Sequence, residues 1–158
     1  MEIGILAPVP AIFLSSAVSI CGRFKKVVFG TNAWEQFNDP RLAFNPGVPV
    51  LIYASMTGIS APLALTSEVR KYIRAGYATL RGRIIGFRKC DSGFYPNPEY
   101  RPSLTIDGPV PDTKWAAFWE VEQLEFLGTQ LISLRSDLTK KKLAKNFIPH
   151  GPTLVEIP

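Results

Sequence analysis

Apolar positions along this chain occur in two patterns. Residues 3–21 form an almost uninterrupted apolar run, whereas the rest carries short apolar or alternating stretches set apart by Gly, Pro, Asn and Ser. The first run predicts a buried strand over residues 2–7, then a short helix from Pro10, because proline is preorganised for a first helical turn. Val27-Val28-Phe29 predicts a short strand, Gly30-Thr31-Asn32 a turn with two N-cap side chains, and residues 33–37 a short helix. A loop marked by Pro40, Pro46, Gly47 and Pro49 precedes Val50-Leu51-Ile52-Tyr53-Ala54, a continuous run that predicts a central strand buried on both faces. Residues 55–62 read as a second loop. Val69, Tyr72 and Ile73 then fall at helical spacing, with Gly76 placed to end that helix.

Beyond Gly76 the period changes from helical to alternating. Tyr77, Thr79, Arg81 and Arg83 share one face and Ala78, Leu80, Gly82 and Ile84 the other, so residues 77–87 predict a strand, with bulges or close backbone approach at Gly82 and Gly86. Residues 88–114 hold Pro96, Pro98, Pro102, Pro109 and Pro111 and predict a long loop, a type of segment that is usually functional or disordered. Its aromatics, Phe94, Tyr95 and Tyr100, argue for order. Residues 115–121 alternate Trp115, Ala117 and Trp119 against Ala116, Phe118 and Glu120, which predicts a strand with one aromatic face. Residues 131–145 predict a short basic helix and residues 153–157 a closing strand. Helices confined to the early part and margins of a mainly β chain give an α+β class. The expected architecture is one domain over residues 1–158, a small mixed, mainly antiparallel β-barrel of about five to seven strands with flanking short helices.

At 46% hydrophobic and 20% charged residues, the chain has the material for one core and is unlike a disordered sequence. The apolar N-terminal run superficially resembles an exported or anchored segment. Glu2 stands where a signal peptide would be basic, and Pro8 and Pro10 would interrupt a spanning helix, so a core strand is expected there and no membrane partner. Cys21 and Cys90 stand far apart with His150 as the only imidazole, which disfavours a zinc site and suggests a reducing, cytoplasmic setting.

Charge adds direction. The chain carries 18 Lys and Arg against 13 Asp and Glu, a formal +5, and twelve of the eighteen cations lie in two segments. Arg70, Lys71, Arg74, Arg81, Arg83, Arg88 and Lys89 form the first, with no acidic residue between them, and Arg135, Lys140, Lys141, Lys142 and Lys145 form the second. On one face such cations would track a phosphate backbone, and Arg74, Arg81, Arg83, Arg88 and Lys89 are the phosphate-binding candidates.

Catalytic templates are absent: there is no G-x-S-x-G, no G-x-x-x-x-G-K-[ST], no G-x-G-x-x-G after a strand and no H-E-x-x-H. Asp112 with Glu120 and Glu122 suggests a metal-dependent nuclease, but Glu122 occupies the place of the lysine such a site needs, so neither metal nor cofactor is expected. Aromatic and small polar residues outline a pocket instead. Trp34, Tyr53, Tyr95, Trp115 and Trp119 offer ring faces for an unstacked base, and Thr31, Asn32, Ser55 and Asp112 offer groups for a base edge.

Four stretches together resemble the PUA-like superfamily, particularly its EVE and ASCH branches: Val27-Val28-Phe29-Gly30-Thr31-Asn32-Ala33-Trp34, Val50-Leu51-Ile52-Tyr53-Ala54-Ser55, Ala78-Thr79-Leu80-Arg81-Gly82, and Trp115-Ala116-Ala117-Phe118-Trp119-Glu120-Val121. The resemblance implies a small β-barrel with flanking helices that binds RNA or a modified, flipped base of DNA in an aromatic cage. It implies a base pocket bordered by Thr31, Asn32 and Trp34, floored by Tyr53 and Ser55 and walled by Trp115, to which the loop aromatic Tyr95 is added. The lysine, glutamate and arginine motif of the ribonuclease-linked ASCH pattern is missing. A second class is a small-substrate enzyme similar to the γ-glutamylcyclotransferase-like barrel, through Phe29-Gly30-Thr31 and Tyr95-Pro96, with Glu120 or Glu122 as general base. It requires a glutamate pointing into a cavity beside the Gly30 turn. A third is an interaction domain without pocket chemistry.

Overall fold

In the computed structural model, which describes residues 2–44, 46–57, 66–105 and 108–158, the alternating and apolar runs become strands of one sheet. In chain order these are β1 (Glu2–Pro10), β2 (Val27–Thr31), β3 (Val48–Ser55), β4 (Tyr77–Lys89), β5 (Ala117–Gln130), β6 (Arg135–Ser136) and β7 (Thr153–Ile157). Their spatial order is β2-β5-β4-β3-β1-β7-β6. Every neighbouring pair is antiparallel except β1 with β3. Among the described residues two α-helices, α1 (Leu14–Phe24) and α2 (Ser67–Arg70), accompany the strands. The class is therefore α+β with a mixed, mainly antiparallel sheet. Among the described residues no helix is long and apolar enough to cross a membrane.

Local chemistry explains most boundaries. Leu14, Ala17, Ile20 and Cys21 bury one stripe of α1, and Lys25 in the left-handed region (φ 64°) ends it. β3 lies between β1 and β4 with Leu51 and Ile52 fully buried on opposite faces, as its unbroken apolar run requires. The β4–β5 register shifts between Ile84 and Gly86, where β4 carries the extra residue beside Gly86, and opposite Gly82, where β5 carries it next to Gln123 (φ 54°). At Gly82 the outcome is the close approach, since a Cβ there would lie 2.7 Å from Val121 and 3.1 Å from the Glu122 carbonyl. The last of the 55–62 loop, residues 58–62, lies outside the described residues.

Three expected elements differ. The helix expected around Val69, Tyr72 and Ile73 amounts to the four residues of α2, with Gly76 (φ +78°) further along the turn that enters β4. Residues 33–37 give a short 3-10 turn, Glu35–Asn38. The basic helix expected over 131–145 is not formed: a 3-10 turn, Leu131–Ser133, leads into β6, and Arg135 bridges to Lys142. Its leucines are the reason. Leu131, Leu134 and Leu143 cover the sheet face formed by Leu6, Leu51 and Val155, and Lys140 takes φ 60°, outside helix geometry.

The main core lies on the α1 side, where Ile5, Val50, Ile52, Leu80, Ile84 and Val121 meet the helix. On the other face the 131–143 segment covers one half. Tyr95 with Val28 and Phe118 forms a smaller cluster at the β2–β5 end.

One feature of β1 matters for the site. β7 pairs with β1 only as far as Leu6, so residues 7–10 leave one edge open, and Pro8 and Pro10 lack the donors that a further strand would use. β2 ends the sheet on the other side, and no pairing among the described residues joins it to β1 or β6.

An ionic network fastens the chain after β6 to the loop before β3. Arg41 Nη2 lies 2.6 Å from Asp137 and 2.8 Å from Asp39, and Lys140 Nζ bridges Asp137 at 3.0 Å and Glu156 at 2.7 Å. Hydrogen bonds from Arg41 and then Lys140 hold the Asp137 carboxyl down to about 2. Because its folded pKa lies below the ordinary 3.8, its contribution is present above about pH 4 and is lost as pH falls toward 2. Urea midpoints measured from pH 7 to pH 2 should therefore drop over that acid window. Asp137→Asn should lower the midpoint at pH 7 and flatten the acid drop; an unchanged acid slope would exclude Asp137 as its source.

Candidate functional site

A cavity of about 460 Å³ opens between the free edge of β1 and β2. β1 supplies Ala7 to its wall together with Pro8, Val9 and Pro10, β2 supplies Phe29, Gly30 and Thr31, and the turn that follows adds Asn32. Trp119 reaches it from β5. Its outer wall is the long proline-rich loop, which contributes Arg101, Pro102, Pro111, Thr113 and Trp115, while His150 stands at its margin. The volume lies within the roughly 300–1,000 Å³ usual for small-ligand sites.

Sequence chemistry sets this wall. The indole of Trp115 lies against the backbone of Gly30: a Cβ there would come within 2.7 Å of Trp115 Cδ2 and nearer still to Cγ and Cδ1. Only glycine permits that contact. The Trp115 N–H donates to the Gly93 carbonyl at 3.0 Å, closing the loop on itself, and the Ala116 N–H donates to Asn32 Oδ1 at 3.0 Å, pinning the loop's end to the β2 turn. Thr31 Oγ1 accepts from the Ala33 N–H at 3.0 Å and holds the turn from within. Trp119 backs the cavity, tilted against Phe29 with ring centroids 4.6 Å apart.

The polar groups of the cavity are mostly donors. Trp115 Nε1 is buried without a hydrogen-bond partner among the described residues. With its Oδ1 engaged, Asn32 retains its NH₂ group, and Arg101 brings a guanidinium whose Nη1 donates to the Val28 carbonyl at 2.7 Å. Burial draws the Arg101 pKa down to about 10, leaving it charged at neutral pH. No Asp or Glu is among the described lining residues.

Three of the seven expected pocket residues, Thr31, Asn32 and Trp115, come together here; the other four do not line the cavity. Trp34 carries the Lys89 ammonium 3.4 Å over its ring. Tyr53 packs on the opposite sheet face with the Leu51 and Leu131 cluster, and Ser55 ends β3 beside Pro10. Tyr95 is buried with Phe118 behind the wall, and its hydroxyl donates to Glu120 Oε2. Lys26 Nζ lies 3.1 Å from that carboxylate. Burial pushes the Lys26 ammonium down, but Glu120 outweighs it and the net shift is upward; burial and then Glu120 raise the Tyr95 phenol.

The glutamates offered as general bases lie elsewhere. Glu120 is held by Lys26 and Tyr95, Glu122 is the cross-strand neighbour of Arg83, and neither lines the cavity. Among the proposed phosphate ligands, Arg81 and Arg83 edge a separate open groove in which Arg81 faces Glu125 and lies 4.0 Å from Glu2. Arg74 stacks on Tyr77 with its Cζ 3.6 Å from the ring centroid, and Arg88 and Lys89 end β4 beside the start of β5. Sequence reading missed Phe29, Arg101 and His150 as lining residues. The one available signal is the loop itself, marked by its length and aromatic content.

No family model matches the chain, and no curated protein matches it.

Proposed function

We propose that the protein is a nucleic-acid-binding module that receives a modified or flipped base of DNA or RNA in the cavity between β1 and β2. The observation that carries the reading is an aromatic cavity walled by Trp115 and Trp119 that presents the donors of Trp115, Asn32 and Arg101 and, among the described lining residues, no carboxylate. An unstacked base needs a ring face to lie on and donors for its N and O acceptors, and it meets both here. The same reading takes the sheet as a PUA-like barrel, with the cavity filling the gap between β1 and β2. Arg74, Arg81, Arg83, Arg88 and Lys89 along and before β4 are its phosphate contacts, Arg81 and Arg83 being weakened by their glutamate neighbours. The free thiols of Cys21 and Cys90 suit a reducing, cytoplasmic setting.

The test is titration with short single-stranded and duplex oligonucleotides, with and without methylated or hydroxymethylated bases, at two salt concentrations. Preference for a modified base is expected, with log affinity falling against log salt by about 0.7–0.9 for each phosphate engaged. Absence of binding at low salt would refute the reading.

A further inference from the structure

Arg101 stands apart from the other cations. Its guanidinium sits in the wall between the large cavity and a smaller one of about 220 Å³ lined by Tyr95, Asp112 and Phe118. It makes one hydrogen bond, from Nη1 to the Val28 carbonyl, and its Cζ lies 5.1 Å from the Phe118 ring centroid, so the planar group is fixed in direction. No ion pair engages it among the described residues. A cation withdrawn from water is ordinarily matched by an anion, since desolvation is otherwise uncompensated. Here the described residues supply a carbonyl dipole and the Phe118 ring, and Asp112 lines the same smaller cavity without pairing with the guanidinium. The Nε–H and Nη2 edge is left without a partner among them, the edge that grips a phosphate or carboxylate through two parallel hydrogen bonds.

We infer that Arg101 holds the phosphate of the nucleotide whose base enters the cavity against Trp115, so that the site binds a nucleotide as a unit rather than a base alone. This rests on the proposed function and adds to it: the anion is bound inside the site by one oriented arginine, separately from the cations of β4. The phosphate can belong to a polynucleotide or to a free mononucleotide, and the two sources are separable by experiment.

The protein is titrated, following tryptophan fluorescence, with cytidine and adenosine, with their 5′-monophosphates, with inorganic phosphate and with the oligonucleotides named above. Wild type is compared with Arg101→Met and Arg101→Lys. The monophosphates should bind about tenfold more tightly than the nucleosides, Arg101→Met should abolish that difference, and Arg101→Lys, which keeps the charge but not the fork, should restore part of it. Thermal melts of both variants accompany the titrations: removal of a half-buried cation without an ion-pair partner among the described residues should leave stability unchanged or raised, whereas an arginine with a purely structural role would lower it and leave the phosphate preference intact. Equal binding of nucleoside and monophosphate, or a preference indifferent to Arg101, overturns the inference while oligonucleotide binding still supports the proposed function. Arg101-dependent binding of monophosphates without any oligonucleotide binding does the reverse and makes the cavity a free-nucleotide site. If none of these probes binds, both fail.

Discussion

Gly30→Ala is expected to reduce oligonucleotide affinity by roughly 5- to 150-fold, the equivalent of one lost base stack of about 1–3 kcal/mol. The reason is geometric. The Trp115 ring rests on the bare Gly30 backbone, and a methyl group there would overlap three of its atoms. The Ala116 N–H bond to the Asn32 side chain holds the loop's end to the β2 turn and the Trp115 N–H bond to Gly93 fixes the Trp115 backbone within the loop, so the loop does not simply back away and the indole must rotate. It then either fills the cavity or leaves its wall. Gly30 pairs with Phe118 inside a regular β2–β5 ladder that alanine can join, so the melting temperature should change far less than the affinity. Circular dichroism and fluorescence titration of one preparation separate the two effects. Wild-type affinity in Gly30→Ala would mean that Trp115 does not form the binding wall.

Trp119→Ala carries the largest expected loss of stability, about 3–5 kcal/mol by urea denaturation. Trp119 is 2% exposed and sits in an aromatic column: tilted on Phe29, stacked on Phe37 at 5.9 Å, with Phe37 in turn stacked on Phe87 at 5.1 Å. Truncation removes a large buried surface at the junction of β2, β5 and the 3-10 turn, and the rings around it can collapse only partly into the void. Trp115→Ala, by contrast, removes a half-buried ring and should cost about 1 kcal/mol or less while costing most of the affinity. A loss below about 1 kcal/mol in Trp119→Ala would show that the column is not a core.

The two tryptophans also mark what the sequence made legible. Alternation from Trp115 onward placed both on one face of an expected strand, and both do border the cavity. Yet Trp115 lies just before β5, held by Gly93 and Gly30. Strands with strong local pattern, such as β3 and β7, were readable because burial on one or both faces writes itself into consecutive residues. The 131–145 segment was not, because its leucines answer to Leu6 and Leu51, eighty or more residues away in sequence, and not to each other along a helix. For the same reason the pocket was half legible. Thr31 and Asn32 sit at a turn whose glycine and caps announce it, but Tyr53 and Tyr95 carry the same aromatic signal as Trp115 and pack instead against core clusters, Tyr95 buried and Tyr53 partly so. Arg101 carried no pattern at all; its importance lies in having no ion-pair partner among the described residues, a property of three-dimensional placement.

The most direct test of the cavity as the binding site uses the chain's three tryptophans. In a ¹⁵N-labelled sample each gives one indole N–H signal, assigned by Trp34→Phe, Trp115→Phe and Trp119→Phe. Addition of the best-binding oligonucleotide should shift the Trp115 signal most, since its Nε1–H gains an acceptor that it lacks, with Trp119 following and Trp34, covered by Lys89, nearly still. A spectrum in which Trp34 moves while Trp115 and Trp119 stay fixed would place binding outside the cavity and contradict the account.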